Sequence, residues 1–196
     1  MYVQHSAPPH SATDRSPQAL VAIVYANEAY PQSLFEGIVE DCRRRGLRVA
    51  GVLQHPVCPD AAGHCDVALE ELTTGLRTDL FEDRGRGASG CRLDEAALAE
   101  VNAQVARSLD AGPNLLILNK FGKVEAEGRG LLDLVAMAID RGISVVIGVP
   151  IRNLKPWRDF AGGMSVEFTS DPSEVADWLN RTFPVAAAKR SETAAC

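Results

Sequence analysis

Apolar positions along this chain fall into three kinds of run: unbroken β-prone stretches, stretches with an apolar residue at every third or fourth position, and short alternating pieces. The first unbroken stretch, Ala19-Leu-Val-Ala-Ile-Val-Tyr-Ala26, suits a strand buried on both faces and predicts a central strand. Leu34, Ile38 and Cys42 then recur at helical spacing, with Ser33 as the expected N-cap and Gly46 as the stop. Arg48 to Gln54 reads as a second strand. Such a βαβ opening favours a right-handed crossover and a parallel sheet.

From His55 to Gly90 the period shortens. Alternating pieces at Asp66 to Leu72 and Arg77 to Phe81, separated by turn residues, predict a β-hairpin excursion. Helical spacing returns at Leu98, Val101, Val105 and Leu109 behind an Asp94 cap. Asn114 to Leu118 predicts a strand, Glu125 to Arg141 a helix with Leu131, Leu132, Val135 and Ile139 inward, and Ile143 to Val149 another strand. Gly142 stops that helix. A short helix around Trp157, a strand at Val166 to Phe168 and a helix from Ser173 to Thr182 complete the series. The fold class is α/β, a mainly parallel sheet flanked by helices. Residues 18–183 form one domain, with 1–17 and 184–196 as flexible tails.

Composition narrows the function classes. The chain has 196 residues, of which 46% are hydrophobic, enough for one core. Its net charge of -6 argues against general binding to nucleic acid or acidic lipid. No apolar run is long enough to cross a bilayer and the N-terminus lacks a signal-peptide pattern, so the expectation is a cytoplasmic protein without membrane insertion. Five irregularly spaced cysteines suit free thiols better than a disulfide framework.

Ligands of open parallel sheets sit at the carboxyl ends of the strands. Three loops occupy such places here: Tyr25 to Ser33, Asn119 to Arg129, and Val149 to Asn153. The first stands where a phosphate cradle would lie, yet Tyr25-Ala-Asn-Glu-Ala-Tyr-Pro-Gln-Ser33 contains no glycine or lysine, and Glu28 would repel phosphate. The second stands where a metal-holding carboxylate would be, yet it offers Asn119 and Lys120. Neither half of an ordinary nucleotide-hydrolysing site is present, and no catalytic residue can be named.

Cations gather elsewhere. Lys120, Lys123 and Arg129 surround glycines at an expected helix start, with Glu125 and Glu127 as carboxylates that would orient them or act as acid and base. Asp83-Arg-Gly-Arg-Gly-Ala-Ser-Gly-Cys-Arg-Leu-Asp94 places Arg84, Arg86 and Arg92 among glycines, with Ser89 and Cys91. Glycine permits close backbone approach, and guanidinium groups make paired hydrogen bonds to tetrahedral oxyanions. The competing reading is a charged loop whose arginines are solvated or paired to Glu82 and Asp83. Cys58, Cys65 and Cys91 with His55 and His64 match no strong metal signature, so no metal is assigned. Ser89 and Cys91 lack any recognisable nucleophile context.

Cys65 with the following alternating strand, Arg84-Gly85, Gly90-Cys-Arg-Leu-Asp94, Asn119-Lys-Phe-Gly-Lys123, Glu125-Ala-Glu-Gly-Arg-Gly130 and Phe160-Ala-Gly-Gly163 resemble an uncharacterised bacterial domain family labelled nucleoside-triphosphatase-like or molybdenum-transport-associated. A more distant similarity is to the thermophile-type P-loop nucleoside triphosphatases. The resemblance implies a P-loop-like fold with degenerate motifs, and a link to molybdate or tungstate. It leads to the expectation of a non-hydrolysing anion-binding protein using Arg84, Arg86, Ser89, Cys91, Arg92, Lys120, Lys123 and Arg129. The ligand would be molybdate, tungstate or a phosphate-bearing molecule, with magnesium nucleotide ranked below. The alternatives are a divergent nucleoside triphosphatase and a protein-interaction module. The expected partners are a second copy of the chain, a transporter or a cofactor enzyme.

Overall fold

The computed structural model describes residues 19–27, 29–56, 67–82 and 92–184. Strand β1 (Leu20–Tyr25) leads into helix α1 (Gln32–Arg44) and strand β2 (Val49–Pro56). Strands β3 (Val67–Glu71) and β4 (Arg77–Asp79) form the hairpin excursion, and β5 (Phe81–Glu82) pairs with β6 (Arg92–Leu93) as a separate ribbon. Helix α2 (Glu95–Asp110), strand β7 (Leu115–Leu118), short helix α3 (Lys123–Ala126) and helix α4 (Leu132–Asp140) follow. Strand β8 (Ser144–Pro150), helix α5 (Leu154–Ala161), strand β9 (Ser165–Phe168) and helix α6 (Pro172–Thr182) end the domain.

The main sheet has seven strands in the order β4-β3-β2-β7-β8-β1-β9. Strands β2, β7, β8, β1 and β9 run parallel, while β3 and β4 join antiparallel at one edge. The unbroken apolar runs follow from this layering, because successive side chains of an interior strand point to opposite faces. Leu116, Leu118, Val145 and Ile147 enter the core under α2, α4 and α5. Leu115, Ile117 and Val146 enter the core under α1 and α6.

Local chemistry sets the boundaries. Asp94 caps α2, its carboxylate accepting hydrogen bonds from the Ala96 and Ala97 amides, both at 2.9 Å. Ser33 does not cap α1: the helix begins one residue earlier, behind Pro31, and Ser33 lies within the first turn. The single helix expected over residues 125–141 is broken in two. Gly128 (φ 81°) and Gly130 (φ 69°) adopt left-handed backbone that a continuing helix forbids.

A buried carboxylate ties the hairpin to the helical layer. Glu71 accepts hydrogen bonds from the Thr74 amide and hydroxyl, both at 2.8 Å, and from Ser108 of α2 at 3.1 Å. Burial alone would raise its pKa, but the hydrogen bonds from Thr74 and Thr73 outweigh burial and hold it below the usual glutamate value. Among the described residues no helix is long and apolar enough to cross a membrane.

Candidate functional site

The carboxyl ends of β1, β7 and β8 lie side by side, and the backbone at Gly148 is in close contact with the turns after β1 and β7. A side chain there would collide with the Asn119 carbonyl oxygen and press on the Tyr25 and Phe35 rings. Phe121 donates its amide to the Gly148 carbonyl at 2.7 Å, which fixes the turn after β7 against β8.

The turn between β1 and α1 is filled by aromatic rings. Tyr30 stacks on Phe35 with centroids 5.3 Å apart and meets Tyr25 edge-on at 5.8 Å. The Tyr30 hydroxyl is buried without a hydrogen-bond partner among the described residues, and burial, reinforced by Tyr25 and Glu36, pushes its pKa above the ordinary tyrosine value. Asn27 accepts a hydrogen bond from the Arg152 amide at 3.1 Å, linking this turn to the 3-10 turn Ile151–Asn153 after β8. Gln32 and Ser33 open α1, and Gln32 donates to Glu36 at 2.8 Å.

The turn after β7 is organised by hydrogen bonds. Asn119 is buried and donates its amide to Gln54 at the end of β2, 3.2 Å away. A neutral carboxamide pair thus occupies the place where a metal site would need negative charge. Lys120 is half-buried and makes no hydrogen bond or ion pair among the described residues. Phe121 is buried edge-on against Trp157 at 5.4 Å, and Asn153 donates to its carbonyl at 2.8 Å.

Glu125, read from sequence as an orienting carboxylate for the cations, turns instead to the backbone. It is buried and accepts hydrogen bonds from the Gly122 amide at 2.9 Å and the Leu131 amide at 3.1 Å. The first bond is the backward half of a capping box, in which the third helical residue reaches the N-cap amide. A side chain at Gly130 would strike this carboxylate, so the glycine is required twice, for its φ and for its space.

Glu127 does pair with the cations, lying 2.8 Å from Arg129 and 3.8 Å from Lys123. Arg129 also reaches Glu95 at 3.8 Å, and Asn102 donates to the Gly130 carbonyl at 3.0 Å. These three basic residues do not crown a long helix. Lys120 precedes the four-residue α3, Lys123 opens it, and Arg129 lies in the connection to α4.

Arg84, Arg86, Ser89 and Cys91 lie outside the described residues, as do Cys58, His64 and Cys65. Arg92 is placed by its backbone in β6, opposite Glu82. Two residues on, Asp94 caps α2, and the next residue, Glu95, is the one that reaches Arg129. The foot of the arginine- and glycine-rich loop therefore stands beside the Lys123–Gly130 turn, and a cavity of about 180 Å³ lies between them, lined by Leu98, Asn102, Val124 and Arg129 among others.

Of the remaining candidates, His55 lies at the end of β2 with Nε2 2.9 Å from Glu70 and Nδ1 4.0 Å from Glu36. Cys42 is a buried free thiol whose pKa is pushed up to about 11, first by burial and then by Asp41. No group of three or more His, Cys, Asp or Glu that could hold a metal occurs among the described residues. Sequence reading missed Gln54, Tyr30, Asn27 and Asn153, whose roles depend on which strand ends become neighbours. The Gly122-x-x-Glu125 spacing was the one available signal for the Glu125 clasp.

Fold and strand-end geometry define an α/β protein with a mainly parallel seven-stranded sheet flanked by helices and three strand-end turns gathered at one edge. The chain is similar in structure to THEP1 from the hyperthermophile Aquifex aeolicus, with a TM-score of 0.61 and 18% identity, covering 84% of this chain and 99% of THEP1. At that identity the likeness is one of fold. The chain belongs to the family described as protein of unknown function, DUF2478, whose model matches residues 20–178. It is also 32% identical over 179 residues to the molybdenum import ATP-binding protein ModC 2 of Bradyrhizobium diazoefficiens. That match covers 90% of this chain and 20% of the relative, so the chain spans about a fifth of the relative's length.

Proposed function

We propose that this protein is a cytosolic, non-hydrolysing anion-binding domain on a P-loop-like scaffold, and that its ligand is molybdate, tungstate or a phosphate-bearing molecule. The observation that carries the reading is the β1–α1 turn, where the Tyr25, Tyr30 and Phe35 rings occupy the place of a glycine cradle. Anion recognition then falls to side chains. Arg84, Arg86 and Arg92 with Ser89 and Cys91 supply donors from one loop, and Lys120, Lys123 and Arg129 supply charge from the turn after β7. The juxtaposition of Arg129 with Glu95 supports a site shared by the two segments. Similarity to part of a molybdenum import ATP-binding protein supports molybdate or tungstate within this ligand class.

Thermal-shift titration with molybdate, tungstate, sulfate, phosphate and magnesium-ATP tests the proposal, because a ligand selective for the native state raises apparent stability. The expected result is a saturable shift with molybdate or tungstate, or with a phosphate-bearing ligand, that shrinks in Arg92→Gln and Lys120→Gln. No shift with any anion in the wild-type protein would refute it. Lys120, just past the end of β7 and without a hydrogen bond or ion pair among the described residues, also favours a second reading, a divergent nucleoside triphosphatase that stabilises phosphate by side-chain charge alone. Turnover of a triphosphate with magnesium, abolished by Lys120→Gln, would establish that reading in place of the first.

A further inference from the structure

A second surface, apart from the cationic turn, has the form of a docking groove. On the sheet face that carries α1 and α6, α1 packs beside β2 and reaches the end of β3 through Arg43. Between α1 and the β2–β3 hairpin lies an open groove of about 410 Å³, within the range of natural binding pockets. Its floor is apolar, formed by Val39, Leu53 and Leu72, and Glu36, Glu40 and Glu70 stand on its walls.

The charges of the groove are unequally committed. Arg43 donates to the Leu72 carbonyl at 3.0 Å, and Arg44 lies 3.0 Å from Asp41. Glu70 is engaged by Arg77 at 3.0 Å and by His55 at 2.9 Å. Among the described residues Glu36 accepts a hydrogen bond only from the Gln32 amide and lies 4.0 Å from His55, while Glu40 has no hydrogen bond or ion pair. Arg44 and Glu70 are paired, Arg43 is positioned by a neutral carbonyl, and the two carboxylates without an arginine or lysine partner among the described residues, Glu36 and Glu40, outnumber it. We infer that this groove docks a lysine- or arginine-rich segment of a partner protein, with the aliphatic stems on Val39, Leu53 and Leu72 and the cationic ends at Glu36 and Glu40. Long basic side chains suit such a surface because their stems cover apolar area while their ends keep polar partners.

The test is fluorescence anisotropy of the full chain with a short dye-labelled peptide of alternating lysine and leucine, at low and near-physiological salt. The comparison peptide carries glutamate in place of lysine. Binding of the lysine peptide alone is expected, weakened by salt. The E36Q/E40Q double variant is expected to lower the affinity roughly five-fold, in keeping with the loss of two exposed charge pairs. The control E100Q/D177N removes the same charge from α2 and α6, away from the groove, and is expected to bind as the wild type does. Absence of binding at low salt would overturn the proposal. Equal losses in the two double variants would overturn it as well, because they would show attraction to net charge and not to this groove.

Discussion

The turns that leave β1 and β7 stand beside each other at the same edge of the sheet and are built on opposite principles. The first is closed by ring packing, with Tyr30 held between Tyr25 and Phe35. The second is closed by a buried carboxylate that gathers the Gly122 and Leu131 amides and leaves Lys123 and Arg129 exposed. In the second, the hydrogen bonds shape the loop and the charge remains for recognition. On the proposed reading, recognition chemistry sits at one strand end while its neighbour is sealed by packing, with the sheet common to both.

The largest expected effect comes from the residue where the two turns touch. Gly148→Ala drives a methyl into the Asn119 carbonyl and the aromatic pair, and should cost roughly 3 kcal/mol in urea unfolding through overpacking. A stable Gly148→Ala protein with unaltered anion response would show that the turns are independent. Glu125→Ala strips two buried amides of their acceptor and should cost about 2 kcal/mol, with Glu125→Gln losing less because one acceptor oxygen remains. Should Glu125→Ala melt like the wild type, the clasp would have no part in holding the second turn.

The first turn has a signature in pH. The buried Tyr30 phenol keeps its proton in the folded state above the ordinary tyrosine pKa, whereas in the unfolded chain it ionises near pH 10. Its contribution is therefore constant below that value, and stability falls as pH rises above it, because the unfolded state releases a proton that the folded state retains. Tyr30→Phe should flatten this alkaline slope and change neutral stability by less than about 0.5 kcal/mol. An unchanged alkaline slope would mean that the phenol is not buried as described. The smallest effect belongs to Lys123→Gln, which loses only an exposed pair and should shift stability by about 0.3 kcal/mol or less while reducing the anion response. Equilibrium unfolding and the thermal-shift titration, run on the same variant, separate the two quantities.

Much of the framework is legible in sequence because single residues determine it. Asp94 announces α2 by its short side chain, and Gly46 and Gly142 end helices where their positive φ is needed. The split between α3 and α4 escapes that reading because Leu131, Leu132 and Val135 continue a helical period across the break, and a glycine within a period does not declare its φ in advance. Ser33 misleads for a related reason: it is a good capping residue, but Pro31 already fixes the backbone entry. At the site, the cations are visible in sequence, but the partner of Asn119 is not. Gln54 becomes its neighbour only through the pairing of β2 with β7, a register set by the whole sheet.

The route of the last helix has a consequence for how such a domain can be carried. Helix α6 returns from the carboxyl end of β9, and near its end Asn180 accepts a hydrogen bond at 2.7 Å from Arg45, the residue that closes α1. Ala19, where the described chain enters, donates to Ser144 at the opening of β8. Entry and exit therefore share one pole, and the strand-end turns occupy the other. A domain with this layout can be spliced into a longer polypeptide as a cassette, tethered at one pole, with the strand-end turns at the other left clear of the junctions.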